Sequence, residues 1–370
     1  MKKFTILFAA IALVCFAVPA MAVDWNFYGS ARMATFWDSF DFGDGTNAAG
    51  TDDEDAGLTW ALQGNSRLGA KVKAESVSGR LELALTSSNT HDGAVGTRLI
   101  YGEWDFGAGK LRVGKGYTPS SQFISGQVHN ADLGLLGVGT NYGRRPGALQ
   151  LMFGGFTVAL IEANDSNVSG FVTGDPDVYL PKIEVGWGMA FDTWNFGLMG
   201  GAQTITVEDV TNATGGTDDI DVTSYILGGN AGVNFGPAYV KGAVSFGQNW
   251  GNARWSDLGG LGFSTAAAAG QWDGDDDLDD SESFQGAIVG GMKVSDMLSF
   301  EAGWGYRYAD SDVSGTDKDE AWAAYGQAVI VLAPGVYVIP EVGYYDYMDD
   351  VFGDDEGDQF YLGGKWQIDF

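Results

Sequence analysis

The hydrophobic residues of this chain recur at every second position over most of its length. In residues 359–370 the even-numbered positions are apolar or glycine, and the odd-numbered positions are mainly polar. The same alternation is present in residues 298–309, where aromatic residues oppose Ser299, Glu301 and Arg307. A β-strand places successive side chains on opposite faces, so each such segment predicts a strand with one apolar and one polar face.

Sixteen segments of this kind follow one another along the chain. The first covers residues 24–37, the second 60–76, the sixth 144–153 and the last 359–370. The connections after even-numbered segments have only two or three residues, whereas the others are longer and mostly acidic. The pattern predicts an all-β fold, a transmembrane antiparallel β-barrel of 16 strands with both termini at the end that carries the short turns.

The first 22 residues differ from the rest of the chain. Two lysines precede an apolar run that ends at Val18, and a small-residue site ends at Ala22. This is the layout of a secretory signal peptide, and we expect cleavage after Ala22. The only cysteine, Cys15, lies in this segment, so the mature chain is expected to have no disulfide and no thiolate metal site. Residues 23–370 contain no linker and are predicted to form a single barrel domain.

The chain is strongly acidic, with a formal net charge of −29. Cleavage of the first 22 residues removes two lysines and no acid, which changes the charge to −31. This charge argues against nucleic acid as a partner. Most acidic runs lie in predicted loops, where solvated charge is the simplest interpretation.

The alternative for the acidic loops is a structural calcium site, because hard cations bind clustered oxygen ligands. The best-spaced ligands are Asp310, Asp312, Ser314 and Asp317. The match to a calcium loop is incomplete, since Ala321 stands where such a loop has a bidentate Glu.

Four stretches carry a resemblance to the general porins of Gram-negative outer membranes. They are FYGSAR at 27–32, SRLGAK at 66–71, GKLRVGKGYTP at 109–119, and the closing strand. In the closing strand, the residues that match the family's terminal assembly signal are Gly363, Trp366, Ile368 and Phe370. The resemblance implies recognition by the barrel assembly machinery after Sec export, and a homotrimer in the cell outer membrane in contact with lipid and lipopolysaccharide. It also implies ion transport and passive diffusion of small hydrophilic solutes through a water-filled channel.

Under that resemblance, residues 118–143 form the third long loop, which folds into the pore. Asp132 is the only acid in this loop, although related porins usually have several there. Alternation places five cations on inward faces of strands that become neighbours when the barrel closes: Arg32, Arg67, Lys71, Arg80 and Lys365. Arg144 and Arg145 begin the strand after the loop, and at least one should point inward. Together these residues predict a basic pore constriction that raises the local anion concentration.

The alternative for these cations is that they neutralise carboxylates of the inner wall. The carboxylates concerned are Glu75, Glu82, Glu103, Glu184, Glu301 and Glu341. The sequence leaves the preference for cations or anions open, because the acidic mouth and the basic constriction favour opposite signs.

Catalysis is not expected. Only two histidines, His91 and His129, are available for acid–base chemistry, and no nucleophile, phosphate-loop, haem or zinc motif accompanies them. Two other functions stay open beside the general channel. One is a solute-specific channel with a tyrosine rail formed by Tyr325, Tyr337, Tyr345 and Tyr347, and the other is a structural or adhesive barrel that acts through its acidic loops.

Overall fold

The computed structural model describes residues 23–41, 54–85, 93–163, 175–211, 215–255, 267–273 and 278–370. The predicted signal peptide, His91 and parts of the acidic loops lie outside these residues. The strands are β1 (Asp24–Asp41), β2 (Glu54–Leu62), β3 (Arg67–Ala74), β4 (Val77–Leu85), β5 (Val95–Asp105), β6 (Lys110–Lys115), β7 (Gly147–Phe153), β8 (Phe156–Ile161), β9 (Asp175–Asp177), β10 (Lys182–Ala190), β11 (Trp194–Thr211), β12 (Thr217–Phe235), β13 (Ala238–Gln248), β14 (Gln271–Trp272), β15 (Leu278–Asp279), β16 (Ser281–Lys293), β17 (Leu298–Ser311), β18 (Asp319–Ala333), β19 (Val336–Asp346) and β20 (Asp358–Asp369). One short helical turn, α1 (His129–Asp132), precedes β7.

Within the described residues these segments form sixteen antiparallel barrel strands. β2 and β3 are two parts of one strand, since both pair with β1, and β9 and β10 both pair with β11. β14 and β15 form a separate small hairpin. The barrel closes between β1 and β20, from the pair Ser30–Asp369 to the pair Asp41–Asp358. The predicted fold class is confirmed.

The two faces of the barrel follow the alternation of the sequence. In the closing strand, Trp366 and Ile368 point outward and are about half exposed, whereas Tyr361 and Lys365 point inward and are buried. Apolar side chains therefore cover the outside, and polar side chains line the inside. In the part of the chain that is described, no helix is long and apolar enough to cross a membrane.

Two of the predicted strands differ from the structure in ways that affect the residues of the lumen. The second predicted strand is interrupted at residues 63–66, because Gln63 and Asn65 turn their amides toward loop backbone at Val128 and Ala131. The sixth strand starts at Gly147, so Arg144 and Arg145 belong to the preceding loop and not to the strand.

The loop of residues 116–146 packs inside the barrel. Its apolar side chains, including Val128 and Leu135, form one buried cluster with inward-facing residues such as Phe36, Tyr345 and Tyr361. The loop thus covers the inner wall on the side of β16–β20 and β1. The lumen that stays open lies on the other side, toward β3–β10.

Candidate pore constriction

Asp132 fixes the tip of the loop to the seam where the barrel closes. Its carboxylate accepts a hydrogen bond from Arg32 of β1, another from Lys365 Nζ of β20 at 2.8 Å, and a third from Asn65 Nδ2 at 2.7 Å. The backbone is left-handed at Asn130, Ala131 and Asp132, with φ of 48°, 58° and 62°. Such a conformation costs about 1–2 kcal/mol per non-glycine residue, so these contacts hold a strained turn in place. The Asp132 carboxylate is consequently in direct contact with Arg32 and Lys365 and anchors the loop. The three charges do not face one another across a water-filled pore.

A second anchor lies beside the first, on β19. The Glu341 carboxylate accepts hydrogen bonds from the backbone N–H groups of Val128 and His129 at 2.7 and 2.9 Å. The His129 ring stacks on Tyr361 at 3.8 Å between ring centroids, and its Nε2 lies 2.7 Å from Asp38 Oδ1. Since a buried carboxylate is costly unless it is hydrogen-bonded, Glu341 and the loop amides stabilise each other.

A third anchor holds the middle of the loop against β16–β18. Gly126 N–H donates to Glu301 Oε1 at 2.6 Å, and Tyr325 donates to the same oxygen at 2.6 Å. Close to it the loop backbone touches the sheet directly, because a Cβ on Gly139 would lie 2.7 Å from the Gly305 Cα. Glycines at both positions allow this approach.

The tyrosines considered for a solute rail also hold the loop against the inner wall. Tyr345 is fully buried and accepts a hydrogen bond from Gln127 Nε2 at 2.8 Å, and Tyr325 bonds to Ser125 at 2.7 Å. Tyr337 and Tyr347 pack against the cluster beneath the loop. These rings support the loop from below and do not line an open path.

Glu82 of β4 contacts two cations of the predicted basic wall, together with Arg98. This fully buried carboxylate contacts Arg67 at 3.4 Å, Arg80 at 2.8 Å and Arg98 at 2.8 Å. Neutralisation of inner-wall carboxylates, the alternative raised by the sequence, therefore applies to Glu82, although three guanidinium groups surround one carboxylate and leave the cluster positive. Arg80 also donates to Tyr28 at 2.9 Å, and Lys71 lies 5.4 Å from the centre of the same ring.

Between the loop and the β3–β10 wall lies a cavity of about 830 Å³, the part of the lumen that the loop leaves open, and it is called the passage below. Among the described residues, the cations that line it are Arg67, Arg98, Lys115, Arg144, Arg145, Lys182 and Arg254. The acids that line it are Asp132 and Glu162. Four predicted cations, Arg32, Lys71, Arg80 and Lys365, are absent from this lining. Arg32 and Lys365 are paired with Asp132, and Lys71 and Arg80 lie closer to the short-turn end, near the connection between β3 and β4. The passage has a strong excess of positive charge.

Four lining cations were not identified from the sequence, for different reasons. Arg98 sits at a register shift between β4 and β5, where a bulge disturbs the alternation that would have placed it. Lys182 and Lys115 are strand-end residues, and alternation around buried Glu184 would have placed Lys182 inward. Arg254 lies in a long loop, where no periodic signal exists.

Arg254 reaches the passage because the start of its loop also folds inward. Trp255 is buried and donates from Nε1 to Glu184 Oε1 at 2.9 Å, and Trp250 donates to the Tyr225 carbonyl at 3.2 Å. Arg254 lies close to Arg144 of the 116–146 loop. Burial lowers the pKa of the Arg144 guanidinium below its usual value, and the charge of Arg254 acts in the same direction.

Three of the proposed calcium ligands, Asp312, Ser314 and Asp317, lie in the connection between β17 and β18, and Asp310 lies near the end of β17. Asp310 pairs with Lys318 at 3.5 Å, and Asp317 N–H donates to the Val351 carbonyl at 2.7 Å. Among the described residues no group of three or more His, Cys, Asp or Glu side chains is placed to hold a metal. The calcium site through Asp310, Asp312, Ser314 and Asp317 stays a prediction.

Comparison with known proteins supports this architecture. No protein-family model and no curated protein matches the chain. Among solved structures, the outer membrane channel DcaP of Acinetobacter baumannii is similar over 94% of this chain and 97% of its own, with a TM-score of 0.70 at 14% identity. The anion-selective porin from Comamonas acidovorans covers 94% and 100%, with a TM-score of 0.57 at 13% identity. The trimer form of OmpT from Vibrio cholerae covers 94% and 99%, with a TM-score of 0.55 at 16% identity.

At these identities the similarity establishes the fold alone. A closed barrel of sixteen strands, with a loop packed inside it, places the fold among porin-type barrels. The chain has the fold of Gram-negative outer-membrane porins, and the resemblance seen in its sequence is confirmed at that level.

Proposed function

We propose that this protein is an outer-membrane channel through which small hydrophilic solutes diffuse passively, with a preference for anions. The observation that carries the proposal is the charge of the passage, where seven described cations face two acids. One of those acids, Asp132, is already paired with Arg32 and Lys365. A basic constriction concentrates anions in the narrow part of a pore. The apolar outer faces support a location in lipid.

The proposal is one of conduction without chemical turnover and without a cofactor. The ring of His129 lies beneath the loop between Asp38 and Tyr361, away from the lining of the passage. The polar groups of the lumen hold the loop in position and determine the charge of the passage, and passive diffusion requires no more than this.

The test is ion selectivity of the purified protein in a planar bilayer under a potassium chloride gradient. We expect open channels with a reversal potential of the sign that chloride preference gives. The double substitution Lys115→Gln with Arg145→Gln should lower the chloride-to-potassium permeability ratio about threefold, as expected from removing charge a few ångströms from the path. Lys293→Gln, at the exposed end of β16, is the control. Cation selectivity would contradict the anion preference, and folded protein without conductance would contradict the channel itself.

We also propose a homotrimer, inserted by the barrel assembly machinery and in contact with lipopolysaccharide. The resemblance to porins supports this proposal, and the OmpT structure named above is a trimer form of that protein. The mass of the detergent-solubilised complex, measured by light scattering, distinguishes a trimer from a monomer. Current that closes in three equal steps would agree with the trimer.

A solute-specific channel is the second candidate, and one observation favours it. The Phe123 ring is 55% exposed within the passage and lies edge-on to Tyr117 at 4.9 Å between centroids. An apolar ring beside arginines can retain an anion that has an apolar body. Saturable inhibition of chloride current by benzoate but not by acetate, lost in Phe123→Ala, would favour this candidate. Equal effects of the two anions would favour the general channel.

A further inference from the structure

The constriction has two inward segments, and a single carboxylate contacts both. Glu184 of β10 is fully buried. Its Oε2 accepts a hydrogen bond from Ser120 N–H of the 116–146 loop at 2.9 Å. Its Oε1 accepts one from Trp255 Nε1 of residues 249–255 at 2.9 Å, and Lys182 Nζ lies 3.8 Å away. Each oxygen of one side chain thus holds a different segment.

On the first segment, Ser120 lies at the base of the loop. Its carbonyl accepts a hydrogen bond from Asn141 Nδ2 at 2.9 Å, and the neighbouring Ser121 hydroxyl accepts one from Gly143 N–H at 3.2 Å. These bonds tie the two ends of the loop together. Since Gly143 directly precedes Arg144, the position of Ser120 determines where Arg144 enters the passage.

The second segment, residues 249–255, packs against the inner wall of the barrel. Trp255 packs over Gly201 of β11, where an added Cβ would lie 2.7 Å from the Trp255 ring. Ala253 is buried in the same cluster, and its carbonyl accepts a hydrogen bond from Lys182 at 3.0 Å. Arg254 lies between these two buried residues in the left-handed conformation, with φ of 56°, and its side chain lines the passage.

A buried carboxylate is a costly way to join two segments. Apolar residues of similar volume often stabilise a protein as well as buried charged groups do. One role that buried charged groups have is to select a single arrangement of the segments around them. Here the arrangement it fixes brings Arg144 and Arg254, from loops more than a hundred residues apart, to one point of the passage.

We infer that the constriction is composite, and that Glu184 is the positioning residue that joins its two segments and thereby sets the charge presented by Arg144 and Arg254. This inference rests on the proposed anion-preferring channel. Glu184 itself lies behind the two segments and does not line the passage. It acts through the arginines that the segments present.

The test compares Glu184→Ala, Trp255→Phe and Arg254→Gln, singly and combined, in the same bilayer measurement. Loss of the Glu184 charge alone would raise the chloride-to-potassium permeability ratio, whereas displacement of Arg144 and Arg254 lowers it. We expect the displacement to dominate in Glu184→Ala and the ratio to fall about threefold, the effect of moving a unit charge several ångströms from the path. Trp255→Phe keeps an aromatic ring but removes the indole N–H that donates to Glu184, and should shift the ratio in the same direction. In Glu184→Ala with Arg254→Gln, the two effects should be less than additive, because both act on the same charge. Folding is checked by heat-resistant migration in gels.

The outcomes separate this inference from the proposed function. A wild-type channel without anion selectivity would contradict the proposed function. An anion-selective wild type with unchanged selectivity in folded Glu184→Ala would overturn only the role of Glu184, and so would fully additive effects with Arg254→Gln. If Glu184→Ala does not fold, Trp255→Phe decides the question, since it retains the carboxylate and an aromatic ring at position 255. Unchanged selectivity in that variant would then overturn the inference.

Discussion

At the scale of single residues, the carboxylates of the inner wall act as acceptors for loop backbone and for arginine. Glu341 and Glu301 each accept loop N–H groups, whereas Glu82 is surrounded by guanidinium groups. Charge-assisted hydrogen bonds are stronger than neutral ones. The main role of Glu341 and Glu301 is therefore to hold the loop in place, because their oxygens are occupied by loop N–H groups.

Asp132→Asn tests the anchor at the barrel seam. The substitution removes the negative partner of Arg32 and Lys365, which weakens attachment of a strained turn by about 1–3 kcal/mol. We expect more frequent brief closures in single-channel recordings and a higher chloride-to-potassium permeability ratio. Asp296→Asn, whose side chain is 96% exposed at a short turn, should leave both unchanged. Identical gating in Asp132→Asn and wild type would mean that the other anchors suffice.

Glu356 predicts a pH dependence in the connection between β19 and β20. Burial, and then the charges of Asp319 and Asp350, raise the pKa of this carboxyl from 4.5 to about 7, against the opposing effect of Arg307. An acid with a raised pKa binds its proton more tightly in the folded state, so local stability falls as pH rises from about 4.5 through about 7. Above that range the loss is complete.

Hydrogen exchange of the loop amides measures this effect. Glu356 N–H donates to the Met348 carbonyl at 2.7 Å, and its protection, corrected for intrinsic exchange, should be greater at pH 5 than at pH 8. Glu356→Gln should remove most of the difference. Asp354→Asn, an exposed position in the same loop, should retain it. A wild-type pH dependence that persists in Glu356→Gln would assign the effect to another group.

At the scale of elements, the path of the loop depends on where the strands lack side chains. A Cβ on Gly305 of β17 would fall on the carbonyl oxygen of Val138. Only a glycine surface lets loop backbone approach sheet backbone this closely. The inner wall is thus shaped to receive this loop.

Gly305→Ala should push the loop away from β17 and into the passage. Overpacking of this kind costs about 1–3 kcal/mol, so we expect lower single-channel conductance together with a lower temperature of loop release in thermal scans. Gly326→Ala on the neighbouring strand β18 is the control, because an added Cβ there meets nothing within 4 Å. Unaltered conductance in a folded Gly305→Ala protein would show that the loop accommodates the methyl group.

At the scale of the whole molecule, closure of the barrel depends on pairing its first and last strands. Gly29 N–H donates to the Phe370 carbonyl at 2.6 Å, and Phe370 N–H donates back to Gly29 at 3.0 Å. The Phe370 ring is 71% exposed on the outer face. In hydrocarbon an open sheet edge is not tolerated, so this seam determines whether the barrel is stable in lipid.

Deletion of Phe370 should lower the yield of folded barrel in outer-membrane fractions, because it removes the last backbone pair of the seam and a residue of the predicted assembly signal. Heat-modifiable migration in gels quantifies the folded fraction. Phe352→Ala, an aromatic residue of similar exposure at 73% in a loop, should have no effect. Equal yields for the two variants would contradict a role of the terminal residue in assembly.

The alternation of the sequence was sufficient for the strands and their faces, and for placing Arg32, Arg67 and Lys365 inward. This works because the direction of a strand side chain depends only on its position along that strand. The same rule did not show which of these cations line the passage, because Arg32, Lys71, Arg80 and Lys365 point inward but lie outside its lining. It also failed at Arg98, where a bulge interrupts the period.

By itself, therefore, the sequence determined a sixteen-stranded barrel with an apolar outside, a polar inside and acidic loops, because these follow from local periodicity and composition. Only the tertiary structure decided which charges cancel and which remain. Asp132 meets Arg32 and Lys365, and Glu184 meets Ser120 and Trp255, across separations that no local pattern records. Such pairings depend on how closed strands and folded loops fill one lumen, which is a property of the whole barrel.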